Sequence, residues 1–182
     1  MFEITLFVIG TVSLIFLSRA SLKVHTSHGF FRFFAWECIL ILFLLNTLHW
    51  FVRPFSPYQI VSWLLLTFSG ILAVSGFILL HRKGKPSEHR KDTQLISIEK
   101  TTTLVTGGIY RYIRHPLYSS LIFLVWGIFF KLPSWLGVLL GLTTSVLLFL
   151  TAKSEERENI QYFGKVYQKF MQHTKMFIPF VF

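Results

Sequence analysis

The chain has 182 residues, of which 53% are hydrophobic and only 14% charged, and Phe alone occurs 21 times. A soluble domain carries about a quarter charged residues, so this composition leaves no room for a separate soluble domain. The formal net charge of +10 would suit nucleic acid, but the basic residues are scattered between apolar runs and form no basic domain, which excludes that partner.

Five nearly charge-free runs follow one another at 1–17, 30–52, 58–80, 117–130 and 135–152. Three approach the ~20 residues that cross ~30 Å of hydrocarbon. These runs lack the polar face at helical period that a soluble bundle helix needs. The sequence therefore predicts an all-α integral membrane bundle of about five transmembrane helices with a C-terminal interfacial helix. Residues 1–182 form one membrane domain: 1–80 hold three spans, 81–116 a cytoplasmic loop, 117–152 a helical hairpin and 153–182 a cytoplasmic tail.

The first run has Glu3 where a signal peptide would be basic, and no small-residue cleavage site before Arg19, so it reads as a retained span. In the second run Glu37 is expected near the cytoplasmic end, paired with Arg32 or Arg19, and His49 is expected as an outer-interface anchor beside Trp50 and Arg53. Cys38 is the only cysteine. It reads as a packing residue, with neither a disulfide nor a metal cluster in prospect. In the long polar stretch, Gly84, Pro86 and Ser87 should end the third helix, and residues 95–105, mildly apolar and β-branched, should lie against the rest of the protein.

Lysine and arginine alternate in density between the loops. Arg19, Lys23 and Arg32, then Arg82, Lys83, Lys85, Arg90, Lys91, Lys100, Arg111 and Arg114, then Lys153, Arg157, Lys165, Lys169 and Lys175 fall on one side, leaving Arg53 and Lys131 on the other. The positive-inside rule places the N-terminus outside and the C-terminus in the cytoplasm. Part of the surplus should attract anionic headgroups of membrane lipids.

Residues 104–118, LVTGGIYRYIRHPLY, carry the densest chemistry. Gly107 and Gly108 permit positive φ and close backbone approach. Pro116 pushes His115 out of the α region and starts a helix. The amides of Leu117, Tyr118 and Ser119 are then free to meet an anion, with Arg111 and Arg114 beside them. A hairpin over 117–152 brings its two ends together, so Arg114 and His115 should lie close to Glu155 and Glu156. Either feature alone reads more simply as a headgroup anchor or a solvated face; their convergence points to a site, partly shielded from water, where charges are usually functional. Ile160, Phe163, Val166, Tyr167 and Phe170 form an apolar stripe expected to serve packing in an interfacial helix over residues 155–170. Residues 174–182 are expected to fold back and cover something.

The set Gly108-x-Tyr110-x3-Arg114-His115-Pro116-x-Tyr118, then Glu155-Glu156, Phe163-Gly164-x2-Tyr167 and Phe177-Ile178-Pro179, resembles the membrane methyltransferases that include isoprenylcysteine carboxyl methyltransferases and phospholipid N-methyltransferases. The resemblance implies S-adenosylmethionine held on the cytoplasmic side by residues 102–118 and 153–158, with contacts from Leu104, Val105, Tyr110, His115, Pro116, Leu117, Tyr118 and Glu155. The acceptor would be a lipophilic small molecule or a lipidated substrate, with Arg114 orienting an anionic acceptor and Glu156 taking a proton or steadying an amine. One position departs from the prenylcysteine enzymes: where they carry an arginine four residues before the cofactor-binding glutamate, this chain has Thr151. Neutral or amine-bearing lipids and small hydrophobic thiols, hydroxyls or amines become equally good acceptors. A sterol-type reductase using NADPH would need more polar contacts than this loop offers. A membrane scaffold or transporter remains the non-enzymatic alternative, though a transporter would need ionisable residues or broken helices at mid-membrane.

Overall fold

The computed structural model describes residues 2–85 and 101–179. Expectations on residues 86–100 and 180–182 lie outside these. The described residues form six α-helices and no β-sheet: α1 (Phe2–Ser18), α2 (His28–Asn46), α3 (Pro57–Lys83), α4 (Pro116–Phe129), α5 (Trp135–Phe163) and α6 (Lys165–His173). The segments His28–His49, Pro57–Lys83 and Trp135–Phe163 are long and apolar enough to cross a membrane. The 14 residues of α4 reach only about 21 Å.

Local chemistry sets the boundaries. The Ser27 hydroxyl accepts from the Phe30 amide at 3.2 Å and starts α2; Ser134 does the same for Gly137 at 3.1 Å and starts α5. Pro57 and Pro116 open α3 and α4 from positions where a missing N–H leaves nothing unsatisfied. Gly164, at φ +61°, ends α5. The expected interfacial helix over 155–170 is therefore two pieces: its first half continues α5, and only Lys165–His173 stands apart as α6.

Packing pairs α3 with α4 and α2 with α5, while α1 lies on α2. Buried hydroxyls fasten α3 to α4: Ser62 donates to the Gly127 carbonyl at 2.7 Å and Ser69 to the Ser120 carbonyl at 2.8 Å. In an apolar setting a bonded hydroxyl avoids the cost of lost hydration. Glu37 sits midway along α2, not near its end, and accepts from Thr11 of α1 at 3.0 Å. The displacement follows from both helix bounds: α2 starts at His28 after the Ser27 cap and stops at Asn46, well before the apolar run ends. At the far end, Lys131 is almost fully buried. Its ammonium stands 3.1 Å from the Trp63 ring centre and donates to Gln59 at 3.1 Å, while the Gln59 amide donates to the His49 carbonyl at 3.0 Å.

The connection before α2 is fixed to α5 across most of the sequence. Glu158 accepts from the His28 amide at 3.2 Å and lies 2.7 Å from His28 Nδ1. Ser154 donates to the Thr26 carbonyl at 2.6 Å. A carboxylate at a helix N-terminus also meets the positive end of its dipole. Glu158→Ala should lower stability by about 2 kcal/mol, read as a lower thermal midpoint in detergent; a midpoint equal to the parent's would show that this contact does not hold the first connection in place.

Candidate active site

The glycine turn takes the shape its composition allows. Gly108 has φ +62°, and a Cβ there would come within 2.6 Å of the Leu79 side chain. The 3-10 turn Gly108–Arg111 follows, and the Tyr110 hydroxyl reaches the Gly76 carbonyl of α3 at 3.4 Å. His115, at φ −121° and ψ 61°, stands outside the helix that Pro116 begins. The two ends of the α4–α5 pair then meet. Arg114 Nε donates to Glu156 Oε1 at 2.8 Å. His115 Nδ1 lies 3.6 Å from Glu155 Oε2, and His115 Nε2 lies 3.6 Å from Glu156 Oε1. Lys153 adds a contact to Glu156 at 3.3 Å.

The segment after α6 is a strap across this junction. The Arg114 amide donates to the Lys175 carbonyl at 2.8 Å, the His115 amide to Met176 at 3.2 Å, and the Lys175 amide to Tyr112 at 3.0 Å. The Arg114 guanidinium also donates to the carbonyls of Met171 and Thr174 at the end of α6. The expected fold-back of the C-terminal segment thus has a specific object.

A cavity partly open to solvent lies between these elements. Its wall contains Leu104, Val105, Tyr110, His115, Pro116, Leu117, Tyr118 and Glu155, together with Arg114. Glu156 lies behind the wall, with 3% of its side chain exposed, whereas 26% of the Glu155 side chain is exposed. The sequence reading missed Glu158, Asn159 and Thr101 as wall residues, and it assigned Phe163, Tyr167 and Phe170 to packing, although all three face the cavity. Their helical spacing suited either role. Arg32 of α2 is also buried near the site and interacts with Tyr118. Nothing in the sequence around Arg32 signals this, because α2 reaches the site only through its packing on α5.

The cavity combines a carboxylate, aromatic rings and the first turn of α4, where the amides of Leu117 and Tyr118 have no preceding carbonyl within the helix. It can receive a ligand that bears a cation and a carboxylate at once. Among the described residues no group of three His, Cys, Asp or Glu side chains is gathered to hold a metal ion.

A family model described as phospholipid methyltransferase matches residues 58–169, more than half of the chain. A curated relative, methanethiol S-methyltransferase 1 of Bradyrhizobium diazoefficiens, is 29% identical over 153 residues, covering 80% of this chain and 52% of that protein. The chain thus spans about half the length of that relative. No solved structure matches the chain.

The charges at the junction bias one another. The apolar part of α5 ends at Ala152, so Glu155 and Glu156 lie beyond it. Burial alone would lower the pKa of His115, but the two carboxylates raise it above its ordinary 6.5. Burial would raise Glu155, yet His115, His28 and the Tyr118 hydroxyl bring it below its ordinary 4.5. Burial opposes ionisation of Glu156 too, and His115 and Arg114 overcome it, holding its pKa at about 2. A histidine raised on folding stabilises fully below 6.5, and that contribution is lost as pH climbs through its raised value. The lowered carboxylates stabilise above 4.5 and fail as pH falls through their lowered values. The thermal midpoint should therefore decline as pH rises above 6.5, and His115→Gln should flatten that decline; an equal slope in both proteins would remove His115 from the account.

Proposed function

The chain belongs to the phospholipid methyltransferase family, and from that premise we propose that it is an S-adenosylmethionine-dependent methyltransferase acting at the membrane on a lipophilic acceptor. The observation that carries the reading is the single cavity into which residues 104–118 and Glu155 converge.

The residues fit the cofactor. His115 Nε2 is buried and has no hydrogen-bond partner among the described residues, and the α4 amides are oriented for a carboxylate. Glu155 suits an ammonium, and Tyr110, Phe163 and Tyr167 supply faces for an adenine ring or a sulfonium. Bound there, S-adenosylmethionine would supply a methyl group on a cationic sulfur for transfer to the acceptor, with Glu155 and the α4 amides holding its ammonium and carboxylate ends.

The chain's own contribution is alignment and electrostatics. Leu104, Val105, Pro116, Leu117 and Tyr118 shape the cavity. Arg114 is the cation that an anionic or polar acceptor group would meet. Glu156, kept ionised by Arg114, Lys153 and His115, holds those groups in position and stabilises an amine acceptor from behind. Glu155 is the carboxylate open to the cavity.

Five spans accommodate this site. The short α1 and α4 cross with the help of local bilayer thinning, which brings the headgroups in to the α4 N-terminus. The basic surplus then places the N-terminus outside and the cavity on the cytoplasmic face, with α6 lying at that interface. Membrane lipids are the surroundings and the source or solvent of the acceptor.

The acceptor class is narrowed by Thr151. It is fully buried and its hydroxyl is bonded to the Leu147 carbonyl at 2.7 Å, so it offers no charge to a prenylcysteine carboxylate. Small hydrophobic thiols, in keeping with the relative named methanethiol S-methyltransferase, lead the acceptors, followed by lipid amines and hydroxyls. Glu155→Gln and His115→Ala should each weaken S-adenosylhomocysteine binding roughly 10–100-fold by calorimetry, without loss of the folded state. Transfer of labelled methyl groups to a thiol panel and to lipid extracts identifies the acceptor. Parent-like binding in both variants would overturn the site assignment.

A further inference from the structure

A second cavity adjoins the first across the opening turns of α4. It is an apolar groove of about 530 Å³ between α3, α4 and α5, with Val61, Ile122, Trp126 and Phe149 among its walls. Residues 114–118 face the first cavity, and Ser119 faces the groove. What separates the two is a small set of groups. The Ser119 hydroxyl lies 3.0 Å from the His115 carbonyl and 2.8 Å from the Phe177 carbonyl. The Phe177 ring lines the groove, is 5% exposed, and its centre stands 6.3 Å from the His115 ring centre. The backbone on either side of Phe177 is tied down by the strap, through the His115–Met176 bond at 3.2 Å and the Ser119 contact. A ring held at both its backbone and its contacts has few ways to move aside.

We infer that Phe177 is a specificity-determining residue: with Ser119 and His115 it forms the partition between the apolar groove and the cofactor cavity, and its ring admits only slender acceptor groups. The inference rests on the methyltransferase reading and adds to it the element that sets acceptor girth. Phe177 is not on the wall of the first cavity, so thinning it changes what arrives from the groove and leaves the cofactor's own contacts in place. Pocket walls of this kind discriminate by roughly 10–200-fold for each methylene-sized difference.

The test compares the parent with Phe177→Leu and Phe177→Ala in nanodiscs. Methyl transfer from labelled S-adenosylmethionine is measured to ethanethiol and to 2-methylpropane-2-thiol, with S-adenosylhomocysteine binding measured alongside. The parent should favour ethanethiol, and the kcat/KM ratio of slender to branched thiol should fall about tenfold in Phe177→Ala, and less in Phe177→Leu. S-adenosylhomocysteine affinity should stay within about twofold throughout, which also reports folding; Phe177→Leu carries the test if the alanine variant does not fold. An unchanged ratio with intact binding overturns the inference and leaves the methyltransferase reading standing. A binding readout covers the case in which neither thiol is methylated. The bulky apolar probe 1-adamantanethiol should leave S-adenosylhomocysteine affinity unaltered in the parent and shift it several-fold in Phe177→Ala, and equal behaviour overturns the inference. A parent that does not bind S-adenosylhomocysteine sinks the methyltransferase reading and this inference with it.

Discussion

Glu156 is a carboxylate with 3% of its side chain exposed, set at the edge of an apolar bundle. An ion in that position stays charged only when cations and donors replace the water it has lost. Three surround it: Arg114 at 2.8 Å, Lys153 at 3.3 Å and His115 at 3.6 Å. Loss of Arg114, the nearest of them, would leave much of that charge uncompensated, at a cost of about 3–5 kcal/mol. The cluster therefore fixes where the N-terminus of α4 sits relative to the end of α5's apolar stretch. The hairpin, the glycine turn and the strap are all constrained to deliver those cations to one place.

The same cluster divides labour between neighbouring residues. Successive positions on an α-helix point about 100° apart, so Glu155 and Glu156 cannot face the same way. Glu156 turns into the protein and is spent on holding Arg114 and His115. Glu155 turns toward the cavity, where a quarter of its side chain is exposed. Arg114 in turn reaches the carbonyls of Met171 and Thr174, so the end of α6 is positioned by the charge that α5 buries. One carboxylate thus organises the junction, and the other stays open to the cavity.

Much of this junction was legible in the sequence because it depends on local rules. Gly108, Pro116 and the hairpin spacing are read directly from residue chemistry, and together they bring residues 114 and 115 to 155 and 156. The limits of legibility are equally physical. Whether Glu155–Phe170 is one helix turned on the φ of Gly164, which a sequence leaves open because glycine is permitted both signs. The position of Glu37 within its helix was set by where α2 starts and stops, at His28 and Asn46, and not by the bounds of the apolar run. His28, Arg32 and Glu158 join the site only because α2 packs on α5, and a contact spanning 130 positions, such as His28 to Glu158, leaves no periodic trace. Aromatic residues on α6 gave a pattern that fits burial against protein, lipid or ligand alike.

The groove and the cavity impose opposite demands, and on the proposed reading the boundary between them is where chemistry becomes possible. In the groove even the hydroxyls are occupied: Ser119 is directed at backbone carbonyls, and Ser145 donates to Gly141 at 2.8 Å while accepting from Trp126 at 3.3 Å. A charged acceptor entering there would lose its hydration with nothing in return, whereas a neutral thiol, amine or alcohol would enter on the strength of its apolar body. The thiol and the alcohol are weak nucleophiles while they keep their protons. On the proposed reading, the acceptor meets ionised carboxylates and a cationic donor only after it passes His115, so the proton becomes removable at the one point where charge is already compensated. On that reading, separation of an apolar approach from a charged reaction site follows from solvation, and the thinness of the partition at Ser119 and Phe177 is what would let one molecule span both.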